Sequence, residues 1–145
     1  KIKPFRSEGG EDEQAQIIRN FSKLNQTIGN TYDSKALEAI FASLDQEEKD
    51  KISQEKIMEM VFEVTDGGSS DAASARGAVD RLSEAGVITR AFQIGQVSDD
   101  EKQTFNGVWN QNRQEKLGEI IGPDIRHLIP AIAELLKNYL SGVRL

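Results

Sequence analysis

Residues 57 to 64, Ile-Met-Glu-Met-Val-Phe-Glu-Val, form an apolar, β-branched run interrupted only by Glu59 and Glu63. The run breaks at once into Thr65-Asp66-Gly67-Gly68, and a helical pattern restarts after Asp71. That pattern predicts an interior strand over Ile57–Val64 whose ends reach solvent. An Ala-rich stretch, Asp71–Ala85, follows with Val79 and Leu82 at inward positions, and Gly86 closes it as a helix-ending glycine. Val87–Ile94 is a second strand. Ser98-Asp99-Asp100-Glu101 is a capping box, in which hydroxyl and carboxylate reciprocally satisfy free backbone donors. The helix it opens carries Phe105, Val108 and Trp109.

The flanking segments are weaker. Ile2 and Phe5 around Pro4 predict a short terminal or edge strand, since proline cannot donate to a ladder. Helices are predicted from Glu11, with Ile17, Ile18, Phe21 and Leu24 along one face, and from Ser34, with Ala36, Leu37, Ile40, Phe41 and Leu44. Asp45 to Lys56 is a solvated helical extension or a surface loop. Gly118–Gly122 reads as a short edge strand, and Pro123 suits a first helical position. Ile125, Leu128, Ile129, Ile132, Leu135, Leu136, Tyr139 and Leu140 predict a final amphipathic helix bent at Pro130.

Strands alternating with helices imply a three-layer α/β fold with a mainly parallel sheet flanked by helices, Ile57–Val64 central and Val87–Ile94 beside it. In such sheets ligands bind at the carboxyl ends of the strands, where Asp66 would present its carboxylate. The few strands serve many helical segments, so the domain reads as incomplete.

Composition narrows the function. One domain spanning residues 1–145 buries roughly two thirds of its unfolded surface. A net charge of −6 gives no footprint for nucleic acid or anionic lipid. No apolar run approaches the roughly 18 residues of a membrane span, and no secretory segment follows the start. There are no cysteines, so thiolate metal sites and cysteine nucleophiles are excluded; this suits a cytoplasmic protein. The first residues, Lys-Ile-Lys-Pro-Phe, lack a methionine, as expected of a processed product or an excerpt.

The run Val64-Thr65-Asp66-Gly67-Gly68-Ser69-Ser70-Asp71, the strand from Gly86 to Gly95 and the closing helix resemble the later portion of a von Willebrand factor A domain. Gly29-Asn30-Thr31-Tyr32-Asp33-Ser34-Lys35-Ala36-Leu37 is similar to that family's Thr-containing loop leading into a helix. The resemblance implies a Rossmann-like sheet with a metal-ion-dependent adhesion site for magnesium or manganese. Thr31 and Asp66 would be ligands, with Ser69 and Asp71 behind them. The family's Asp-x-Ser-x-Ser motif is absent from these 145 residues. The resemblance therefore implies a domain without its first strand and helix, binding metal weakly or not at all when alone. A protein partner would supply the missing half, or the chain would self-associate. A hard cation wants about six oxygens, which one hydroxyl and one carboxylate do not supply.

Plainer roles remain open for the same residues. Asp66 suits a turn whose carboxylate caps nearby amides, Thr31 suits a loop end, and Ser69, Ser70 and Asp71 suit a helix N-terminus. Gly67 and Gly68 suit positive φ or a close backbone approach. His127 is the only histidine and suits a structural or surface position. The function expected is non-catalytic protein–protein interaction. The alternatives are a structural or assembly subunit with a decayed site and, third, a receiver-like phosphoacceptor using Asp66.

Overall fold

The computed structural model describes residues 32–142, and the Thr31 site and the elements expected upstream lie outside them. Helix α1 spans Asp33–Ser43 and α2 spans Gln46–Ser53. Strand β1 (Met60–Thr65), helix α3 (Ala72–Glu84) and strand β2 (Ile88–Ile94) follow. Helix α4 (Asp99–Trp109), strand β3 (Gly118–Gly122), a 3₁₀ turn (Ile125–His127) and helix α5 (Leu128–Ser141) complete the order.

The strands form a parallel sheet in the order β1-β2-β3. Register and pleat sort the side chains. Val61, Glu63 and Thr65 align with Thr89, Ala91 and Gln93. This face looks toward α3 and α4, as the Ser83–Thr89 hydroxyl contact and the Gln93 bond to the Glu101 carbonyl show. Phe62 and Phe92 lie on the other face, ring centroids 6.4 Å apart. There Arg90 meets Tyr139 of α5. Helices thus cover both faces, and the three-layer α/β expectation holds.

The core lies on the α3 side. Ala75 and Ala78 are fully buried, and their small side chains let α3 sit close between α1 and α4. Leu37, Val79, Leu82, Ala91, Phe105, Val108 and Trp109 fill the space around them. Arg76 donates to the Gly107 carbonyl at 2.6 Å, and Arg113 bridges Asp80 and the Val108 carbonyl, tying α3 to α4. Gly118 runs against α4 so closely that a Cβ there would meet Phe105 Cε1 at 2.7 Å.

Several expectations change. The first strand starts at Met60 rather than Ile57, and among the described residues it is an edge of the sheet while β2 is central. The burial agrees: five consecutive residues of β2 are buried, whereas Val64 of β1 is exposed. The Asp45–Lys56 segment holds a separate helix, α2. Asp45 and Glu48 form its capping box, and buried Ile52 anchors it beneath Gly86. Gly86 has φ +87, and a Cβ would also meet Ile52 Cγ2 at 2.9 Å, so both backbone and space require glycine.

Pro123 lies before the 3₁₀ turn, outside any helix, and Asp124 caps that turn instead. Pro130 occupies the first turn of α5, where a missing N–H loses no intrahelical partner, so it gives no cause for a bend. Only Leu128 of the final helix is buried, while Ile129 and Leu140 stand 71% and 62% exposed.

Candidate functional site

The carboxyl ends of the three strands carry the turn Asp66–Ser70 between β1 and α3. Asp66 is exposed and makes no hydrogen bond or ion pair among the described residues. Its neighbours are tied down. The Thr65 hydroxyl accepts from the Gly67 N–H at 3.3 Å and lies 3.4 Å from the Gly67 carbonyl. Gln93, with no exposed surface, donates from Nε2 to the Gly67 carbonyl at 3.1 Å and the Glu101 carbonyl at 3.3 Å. Gly68 lies against the first two turns of α4, where a Cβ would sit 3.2 Å from Thr104 Cβ and 3.3 Å from Glu101 Cα. Neither Gly67 nor Gly68 has positive φ; the expected close approach is present at Gly68 without it.

Ser69 and Asp71 are occupied elsewhere. The Ser69 hydroxyl donates to Asp33 Oδ1 at 2.5 Å, and the Ser34 N–H donates to the same oxygen at 2.9 Å. This joins the turn after β1 to the start of α1, 36 residues earlier. Asp71 caps α3 by accepting from the Ser74 N–H, and its hydrogen bonds to Ser74 hold its carboxyl below the usual range. Ser70 is exposed. His127 is exposed, as expected, with Nε2 3.8 Å from Asp124.

Glu63 is the electrostatic exception. Rather than reaching solvent, it is half-buried on the face toward the helices. Loss of hydration, with the nearby Asp33 carboxylate as a second cause, pushes its pKa up to about 8. Near neutral pH it is largely protonated.

Sequence reasoning missed the roles of Thr65, Gln93 and Glu63, and the bond by which Asp33 holds Ser69. Gln93 had a signal: it shares a face with Thr89 and Ala91 inside a buried strand, and a buried amide must find partners. Asp33 before Ser34 could have been read as a short polar side chain bonding the next N–H. The long-range partners of both depend on topology.

No group of three or more His, Cys, Asp or Glu among the described residues could hold a metal ion. Asp66 contributes one free carboxylate, while Asp33 and Ser69 are engaged with each other.

No family model matches the chain. It is 31% identical over 144 residues to an uncharacterized protein of Treponema pallidum (strain Nichols), an alignment taking in 99% of this chain and 24% of that protein. The chain thus spans about a quarter of the length of the curated relative it matches. Among solved structures it is similar to the manganese-loaded TRAP protein of Plasmodium vivax, with a TM-score of 0.56 at 19% identity. That superposition covers 90% of this chain and 50% of the other. The fold is von Willebrand factor A-like. No helix among the described residues is long and apolar enough to cross a membrane.

Proposed function

We propose that this chain is the later portion of a non-catalytic protein-recognition module, meeting its partner at the carboxyl end of the sheet around Asp66. The observation that carries this reading is the exposed Asp66 carboxylate, unpaired among the described residues, on a turn fixed from both sides. A solvated carboxylate held in one place can be bridged by a cation to a partner's acidic group. The likeness to a manganese-loaded protein supports magnesium or manganese in that role. With Thr31 as its other proposed ligand, the ion would keep mostly water and be held weakly until further oxygens arrive from outside the chain.

Paramagnetic broadening of amide NMR signals by Mn²⁺ tests the reading. Binding is expected to be on the order of millimolar or weaker, centred on Gly67–Ser69 and lost in Asp66→Asn. Saturation at micromolar Mn²⁺ would mean that a complete site exists within the chain. No broadening at this turn would remove Asp66 as a cation ligand.

An assembly role is favoured by a second observation. Among the described residues β1 pairs on one side only, and Val64, Ile57 and Met58 are exposed at or beside it. A protein segment adding a strand there, or a second copy, would satisfy this edge. The receiver-like alternative wants a lysine ammonium beside Asp66, which forms no ion pair among the described residues.

A further inference from the structure

Gln93 is the one large polar side chain with no exposed surface among the described residues. It stands on β2 opposite Thr65, the last residue of β1 before Asp66. Its Nε2 reaches two carbonyls on different elements: Gly67, in the turn that carries Asp66, and Glu101, in the first turn of α4. Its Oε1 is buried and has no hydrogen-bond partner. An unpaired buried acceptor is unfavourable by about 1–3 kcal/mol, so the amide is an expensive filler for that space. A leucine or methionine would occupy the same volume without the penalty. What the amide uniquely provides is a pair of donors aimed at two carbonyls that have to be held together.

We infer that Gln93 is the positioning residue of the Asp66 turn, clamping it to α4 so that the carboxylate stands at one fixed place on the sheet edge. The clamp works with contacts already described. Gly68 allows the turn to approach the α4 backbone, and the Thr65 hydroxyl pins Gly67 from the β1 side. Without the amide, the Gly67 carbonyl would lose the cross-strand side-chain donor it has among the described residues, and the turn would rest on Thr65 and Ser69. Its importance to recognition rests on the reading of Asp66 given above; the mechanical role does not.

Residue-resolved amide hydrogen exchange on the 145-residue chain separates the two. In Gln93→Met, which keeps the bulk and removes both donors, the amides of Gly67–Ser69 are expected to exchange about tenfold faster, while those of α3 and the β2–β3 ladder stay as they were. Gln93→Glu adds a readout that simple space filling would not move. Its carboxyl can donate only while protonated, and then through a single O–H, so protection of the turn should be partly kept at low pH and fall as that group ionises, beyond the ordinary base catalysis of exchange. Unchanged protection of the turn in Gln93→Met, or a Gln93→Glu profile parallel to wild type, would overturn the clamp. A uniform rise across the whole protein would also overturn it, since it would show a general packing role. If the turn loosens as expected but Mn²⁺ broadening is absent in wild type, the clamp stands and the cation-bridged reading of Asp66 falls.

Discussion

Glu63 shows how one residue's chemistry departs from its place in a pattern. In the sequence it is a charged interruption of an apolar run, which suggests contact with water. In the structure it faces the helices, and desolvation with Asp33 nearby raises its pKa from an ordinary 4.5 to about 8. A folded-state value above the unfolded one means that the native protein binds more protons across that window. The stabilisation is therefore complete below about pH 4.5 and is lost as pH rises toward 8. Glu63→Gln removes the ionisation and keeps the shape. It is expected to match wild type near pH 4.5 and to exceed it by several kcal/mol, on the order of 4, at pH 8. Urea denaturation across that range measures the difference; a gap that does not change with pH would show that Glu63 ionises normally in the fold.

At the level of elements, local signals were legible and long-range ones were not. The Ser98–Glu101 capping box forms as read: the Ser98 N–H donates to Glu101 at 2.7 Å while its hydroxyl caps the helix. Asp71 and Gly86 bracket α3, and Phe105, Val108 and Trp109 are buried on α4. Each of these rests on interactions within about one helical turn, which a sequence displays directly. The placement of β1 at an edge, the small buried area of α5 and the Gln93 bonds depend on which strands lie side by side. Asp66 was legible because a strand ending in Thr-Asp-Gly-Gly fixes where its carboxylate emerges; the residues that secure the turn were not. Two glycines on neighbouring helical and strand elements give a controlled contrast. Gly118→Ala would drive a methyl into Phe105 and Trp109 and should destabilise by about 1–3 kcal/mol. Gly77 lies inside α3 with nothing within 4 Å of the position a Cβ would take, so Gly77→Ala should stabilise by about 0.5–1 kcal/mol. Thermal unfolding followed by Trp109 fluorescence distinguishes the signs, and equal effects would contradict the packing described.

On the scale of the whole molecule, the described surface is apolar where β1 is unpaired and along α5. Val64, Ile57 and Met58 are exposed around the first, Ile125, Ile129 and Leu140 on and before the second. An open strand edge with an apolar side chain beside it is a template for pairing. Size-exclusion chromatography with light scattering is expected to show concentration-dependent association of the 145-residue chain, and Val64→Lys should reduce it. A monomer persisting to high concentration in wild type would mean that the edge is already protected, and would count against a strand-supplying partner.

The parallel ladder also governs the order of events during synthesis. Met60 finds Ile88 and Ala91 finds Gly118, partners about 27 residues apart in sequence. Among the described residues no hairpin joins neighbouring strands, so none of these ladder bonds forms by a short local closure. At about 5–20 residues per second, β2, the partner of β1 among the described residues, is made on the order of seconds after it. Until then the Met60-Val61-Phe62-Glu63-Val64 segment lacks the ladder partner that the described sheet gives it. Helix α3, whose own hydrogen bonds are local, shortens the connection that has to close between β1 and β2.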